Sequence, residues 1–208
     1  GIMIDHGGSN AINIIPGAAA QLNNKDIDNN LEILKKSKIF LTQMETPDEV
    51  TIYSLKKAKE NNCLTILNPA PARKINDENF TLIDFFTPNE TEAEFYLNNK
   101  ITTEEDIKIA GREFLKKGVK NIIITLGERG LYFANENEEY FIDALKLKDQ
   151  VVDTTGAGDA FNGAFTVGLA NDLKFKDALI FANKAAGIST TRAGAASSMP
   201  TLKEVNNY

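Results

Sequence analysis

Histidine and cysteine are almost missing from this chain, with one of each in 208 residues. A single Cys63 cannot close an intrachain disulfide, and its place at the head of an apolar run reads as a buried thiol without chemistry. His6 stands beside Gly7-Gly8 in a turn, so zinc or acid/base chemistry built on histidine has almost no material. No apolar run approaches the roughly 18 residues that would suggest a bilayer span. No charged, apolar leader opens the sequence either, so neither insertion nor secretion is indicated and the cytoplasm is the expected compartment. A net charge of -6 without a Lys/Arg-rich block argues against nucleic acid as a partner, although a local cluster could still hold one phosphate. With 42% hydrophobic residues, the length fits one sizeable domain working on small molecules. Carboxylates, amides and backbone are left to do the chemistry.

The most informative stretch is Asp153-Thr154-Thr155-Gly156-Ala157-Gly158-Asp159-Ala160-Phe161-Asn162-Gly163-Ala164-Phe165, a small-residue turn running into a helix. Gly156, Ala157 and Gly158 have little or no side chain, so their N–H groups can close on a charged oxygen beside the first-turn amides of the helix. Asp159 would repel a bound phosphate unless it takes a proton from the attacking group, which suits a general base. The competing reading is a helix cap after a glycine turn.

Along the chain, Ile2 to Asp5 and Ala11 to Ile15 read as short strands around the turn from His6 to Asn10. Helical spacing follows over Asp26 to Ser37, then a strand at Ile39 to Leu41, a helix from Pro47 to about Asn61, and strands at Leu64 to Leu67 and Phe85 to Thr87. A short helix over Asn89 to Leu97 and a longer one over Thr103 to Lys117 precede a strand at Asn121 to Thr125. Leu131 to Ala134 and Glu139 to Ile142 suggest antiparallel strands, and the glycine turn leads to helices over Ala157 to Asn171 and Phe175 to about Thr191. The alternation predicts a single α/β domain over residues 1–208, with a mainly parallel central sheet and helices on both faces. Ligands of such sheets gather beyond the carboxyl ends of the strands. Four loops there are rich in polar and turn residues: Gln43 to Pro47, Asn68 to Ala72, Thr87 to Glu94 and Thr125 to Gly130. They offer amide donors and carboxylates suited to a nucleotide and a divalent ion.

The Asp153 to Phe165 stretch resembles the signature of the PfkB/ribokinase family of sugar kinases. It is joined in family order by Asn68-Pro69-Ala70-Pro71-Ala72, Thr87 to Glu94, Thr125 to Gly130 and Thr191-Arg192-Ala193-Gly194-Ala195, most like the ribokinase branch. Neither a G-x-x-x-x-G-K-[ST] loop nor a G-x-G-x-x-G opening a first βαβ unit is present. The resemblance implies a ribokinase-like fold and ATP-dependent phosphorylation of a sugar's primary hydroxyl, D-ribose to ribose 5-phosphate. Asp159 would be the base and the amides of Gly156, Ala157 and Gly158 the anion hole. It also implies that Glu45 accepts hydrogen bonds from sugar hydroxyls, that Asn89 and Glu92 help place Mg2+ and phosphate, and that Thr125, Leu126, Gly127, Glu128, Arg129 and Gly130 run along the nucleotide. Asn183 falls where the family contacts adenine. Asp153, Thr155, Ser189, Arg192, Gly194 and Ser198 match positions that bind K+.

The family carries roughly a third more sequence ahead of the segment that Gly1 resembles, so the chain reads as a piece lacking the N-terminal third, with the first strands and most of the lid. A homodimer is implied for the full-length form. A related kinase for fructose, 2-keto-3-deoxygluconate or a nucleoside stays open, as do a non-catalytic nucleotide-binding module and a purely structural domain.

Overall fold

A computed structural model describes residues 1–4 and 10–208. The first two strands are β1 (Ile2–Ile4) and β2 (Asn10–Ile12), antiparallel with Ile2 opposite Ile12. Except for Asn10, the turn read at His6 to Asn10 lies outside the described residues, as does Asp5. β2 ends before the expected Ile15, which is 92% exposed and has no buried face to pack on.

The expected helix over Asp26 to Ser37 is instead two, α1 (Asn24–Asp28) and α2 (Leu31–Lys36). The break falls at Asn29-Asn30, where the Asn30 side-chain amide donates to the Asp26 carbonyl at 2.8 Å. Asparagine commonly competes with the helix in this way. Next come β3 (Ile39–Thr42), α3 (Asp48–Glu60), β4 (Leu64–Leu67), a 3₁₀ turn over Asp77–Leu82 and β5 (Phe85–Phe86). They are followed by α4 (Glu90–Leu97), α5 (Glu104–Lys116), β6 (Asn121–Thr125), β7 (Leu131–Asn135) and β8 (Glu139–Ile142). The C-terminal part holds α6 (Ala157–Ala170), α7 (Phe175–Ser189) and α8 (Leu202–Asn207). The last helix was legible but unread: Thr201 and Glu204 form a capping box, the S/T-x-x-E signature of a helix start.

Strands β3 to β8 form one sheet in chain order, parallel from β3 to β6 and antiparallel from β6 to β8. The expected mixed, mainly parallel sheet is what forms. Alternate residues Leu67, Phe86, Ile122, Ile124, Tyr132 and Ala134 enter a core with Leu55, Phe80, Ile107 and Phe114. Phe86 and Phe114 meet edge-on, ring centres 5.1 Å apart. Their neighbours Ile66, Phe85, Ile123 and Phe133 are buried as well, so these strands are covered on both faces, as continuous apolar runs require.

The chain divides into two compact units. One comprises Pro16–Gly127 and Leu131–Ile142, which hold the large sheet with α1 to α5. The other comprises Gly1–Ile15, Glu128–Gly130 and Asp143–Tyr208, with the small β1–β2 sheet and α6 to α8. In this second unit, Phe161, Phe165 and Gly168 share one face of α6, where the missing side chain of Gly168 leaves room for Ala178 of α7.

At the amino end of β5 the larger unit buries a carboxylate, Asp84. Its oxygens accept from Lys59 Nζ at 2.7 and 2.9 Å, Thr65 N at 2.9 Å and Thr65 Oγ1 at 3.1 Å, and Lys120 Nζ lies 2.8 Å away. Burial pushes its pKa up, but the Lys120 and Lys59 ammoniums and the Thr65 amide outweigh it and hold the carboxyl below its ordinary value.

Candidate functional site

In the larger unit, the loops after β3, β4, β5 and β6 leave the same end of a parallel sheet, as their sequence positions predicted. Hydrogen bonds lace them together. Gln43 Nε2 donates to Asn68 Oδ1 at 3.2 Å, Asn68 Nδ2 donates to the Thr87 carbonyl at 3.0 Å, and the Thr125 amide donates to the Pro88 carbonyl at 3.0 Å. Asn89 and Thr125 also make a parallel bridge. Thus Glu45, Asn89, Thr125, Leu126 and Gly127 are carried by one framework. Glu45 is exposed just past the buried Met44, while Leu126 is buried and anchors the last loop.

Asn89 is the N-cap of α4: its Oδ1 accepts from the Glu92 amide at 2.8 Å, and Glu92 Oε2 accepts from the Asn89 amide at 2.8 Å. Asn89 and Glu92 therefore form a capping box at the start of α4. Burial raises the Glu92 pKa, and the Asn89 N–H partly opposes it. A desolvated carboxylate of this kind suits a cation held through water, since Mg2+ keeps several waters and needs few protein ligands. Among the described residues there is no cluster of three or more His, Cys, Asp and Glu side chains that could hold a metal directly.

The loop after β6 turns through Gly127 at φ 58 and Gly130 at φ 91, around a 3₁₀ turn over Gly127–Arg129. Glu128 and Arg129 are exposed.

In the other unit, Gly156 sits at φ 77 as the N-cap of α6, without a side-chain cap. This left-handed conformation favours glycine. The Ala157 amide closes the turn onto the Thr154 carbonyl at 3.2 Å. Gly158 faces open space, with nothing within 4 Å of the position a Cβ would take, and Asp159 is exposed in the first turn of this 14-residue helix. Asn162, which the sequence reading passed over, donates to the Gly158 carbonyl at 2.9 Å and stiffens that turn.

Asp153, 3% exposed, is the hub below the turn. Its Oδ1 accepts from the Thr155 amide at 2.9 Å and its Oδ2 from the Gly194 amide at 2.9 Å. The Thr155 hydroxyl, then the Gly194 and Thr155 amides, hold its carboxyl below the ordinary value. Val152 and Asp153 both donate to the Thr190 carbonyl, at 2.8 and 3.1 Å. Asp153, Thr155 and Gly194 are thereby brought together. Ser189 and Ser198 are buried and bond to the nearby carbonyls of Ala186 and Ala195. Arg192 pairs with Glu204 at 2.7 Å, and a main-chain oxygen is the donor that residue could offer a cation. Buried oxygens around a persistent carboxylate suit a monovalent cation. Asn183 on α7 donates to the Asp143 carbonyl at 2.7 Å.

An α/β sheet with its strand-end loops gathered along one edge, in a chain that also carries a glycine-led helix start, is the architecture of a protein that handles small anionic ligands. The family model for pfkB family carbohydrate kinases matches residues 1–202, and the chain belongs to that family. It is 37% identical to a ribokinase of Staphylococcus aureus, covering 99% of this chain and 67% of the relative. The structure of Thermotoga maritima ribokinase matches with TM-score 0.86 at 42% identity, over 99% of this chain and 67% of that one. Arabidopsis thaliana ribokinase complexed with ribose and ATP matches with TM-score 0.89 at 32% identity, with the same coverage. The chain thus spans about two thirds of these relatives' length.

Proposed function

We propose that this chain carries the phosphoryl-transfer chemistry of an ATP-dependent sugar kinase, with D-ribose as acceptor and ribose 5-phosphate as product. The observation that carries the reading is the start of α6, where Asp159 is exposed in the first turn and Gly158 borders open space. Asp159 takes the proton of the primary hydroxyl as that oxygen attacks the terminal phosphorus and the bond to ADP breaks. The amides of Gly156, Ala157 and Gly158, with the positive end of the helix, stabilise charge on the transferring group. Glu45 accepts from sugar hydroxyls, the Thr125 to Gly130 loop follows the nucleotide phosphates, and Asn183 contacts adenine.

Asn89 and Glu92 would hold Mg2+ through water, and when bound it offsets charge on the phosphates. Asp153, Thr155, Ser189, Arg192, Gly194 and Ser198 would hold K+, which supplies a fixed positive charge below the glycine turn. The structure of an Arabidopsis relative complexed with ribose and ATP supports the sugar and the nucleotide as ligands. That residues 1–208 act as one core, in the cytoplasm, is part of the same proposal. So is a homodimer of the full-length form, to be tested by light scattering on a version extended to the relatives' length.

The test is coupled ADP release with D-ribose, run on the 208-residue chain and on a version extended to the relatives' length. Fructose, 2-keto-3-deoxygluconate and a nucleoside form the comparison panel. Nucleotide binding without turnover on any of these acceptors, in the extended form, rejects the kinase assignment. Because the chain spans about two thirds of its relatives, a nucleotide-binding piece without turnover is the second reading. Calorimetric binding of an ATP analogue by the 208 residues, with no ADP release except in the extended form, supports it.

A further inference from the structure

Resting on the sugar-kinase reading, we propose that Asn68 is a positioning residue that ties the acceptor-side loop at Glu45 to the phosphate-side loop at Asn89. Asn68 follows β4 and is 7% exposed. Its side-chain nitrogen donates to the Thr87 carbonyl at 3.0 Å, which only the NH₂ end of an amide can do. The oxygen end therefore faces Gln43, whose Nε2 donates to it at 3.2 Å. The Asn68 main-chain amide is fixed in turn on the Thr42 carbonyl at 3.0 Å. One buried side chain thus bridges the loops that leave β3 and β5, with both ends satisfied.

Each end of the bridge lies two residues from a group assigned to a ligand. From Gln43 the chain passes through buried Met44, whose amide donates to the Ala70 carbonyl at 3.0 Å, and reaches Glu45. From Thr87 it passes through Pro88, whose carbonyl accepts from Thr125, and reaches the α4 cap at Asn89. A buried amide that loses one partner leaves a desolvated polar group, so these loops do not shift independently at low cost. Occupancy of the phosphate side therefore sets the position of Glu45, which makes the two ligands thermodynamically coupled. Asn68 itself has no role toward the reacting atoms.

The test is amide NMR of the full chain titrated with the magnesium complex of a nonhydrolysable ATP analogue. In the wild type the amides of Asn89 and Thr125 shift, and so do those of Met44 and Glu45. In Asn68→Ala the first pair still shifts and the second pair loses its response. Gln43→Met removes one donor at a half-buried position and gives the same loss, which keeps the experiment decisive if Asn68→Ala does not fold. A residue that merely supported the fold would lower the melting temperature without changing which amides respond. Absence of any wild-type shift at Asn89 and Thr125 overturns the nucleotide reading of that loop and this proposal with it. Wild-type shifts there without any at Glu45, or a Glu45 response that survives in both variants, overturn the positioning role alone.

Discussion

Replacing Asp84 with alanine removes the buried anion at the amino end of β5, and the structure sets what is lost. Lys120 Nζ contributes little, because its side chain is 63% exposed and rehydrates, as for surface pairs worth about 0–1 kcal/mol. Lys59 is more enclosed and contacts both carboxylate oxygens. The Thr65 amide is buried and would be left without its acceptor, a loss of about 1–3 kcal/mol. Breaking a buried pair costs about 3–5 kcal/mol, and the exposure of Lys120 places this one near 3 kcal/mol. For a chain of this size that lowers the melting temperature by about 6–12 °C.

The folded pKa of Asp84 is depressed, so its stabilisation is complete above the unfolded carboxyl value of about 3.9 and is lost as pH falls through the folded value. Calorimetric melts of wild type and Asp84→Ala should therefore differ most near neutrality and converge in acid. Melting temperatures within 1–2 °C at pH 7, about 1 kcal/mol or less, would refute this reasoning.

Other expectations concern the candidate site. Asp159→Asn should lower kcat by about 10²–10⁴ while nucleotide affinity by calorimetry changes little; an active variant would remove Asp159 from the mechanism. Gly156→Ala forces a side chain into φ 77 and brings a Cβ to 3.3 Å from Met199 Cε, so a destabilisation of about 1–3 kcal/mol is expected in urea melts, with reduced turnover. Exchanging K+ for tetramethylammonium should lower turnover, and Asp153→Asn should abolish that ion response; equal rates in both salts would sink the cation assignment. Chelating divalent ions with EDTA should stop ADP release, and added Mg2+ should restore it.

The elements most legible in the sequence were those whose signals are local. Leu64–Leu67 and Asn121–Thr125 were bounded to the residue, because apolar runs between turn residues have few alternatives. The helices expected from Asn89 and Thr103 form, and in both the structure adds a capping box at that residue. The break at Asn29-Asn30 was missed because helical spacing outweighed two residues that prefer caps. Gln43 and Asn68 were visible as loop residues, but nothing in their spacing revealed that their side chains meet 25 positions apart. Asp84 looked like an ordinary polar residue before a strand, and its two lysines come from α3 and from the residue before β6.

By itself the sequence determined the alternation of helices and buried strands, the glycine turn into α6 with Asp159 beside it, and through those motifs the family. Backbone preference and side-chain periodicity act over a few residues, and that is the range over which the chain can be read. Tertiary structure alone decided that Asp153 holds the Gly194 amide, 41 positions away, beside that of Thr155, and that one asparagine bridges two strand-end loops. Such contacts depend on parallel pairing and chain reversal, which bring distant residues within hydrogen-bond reach without leaving a local trace.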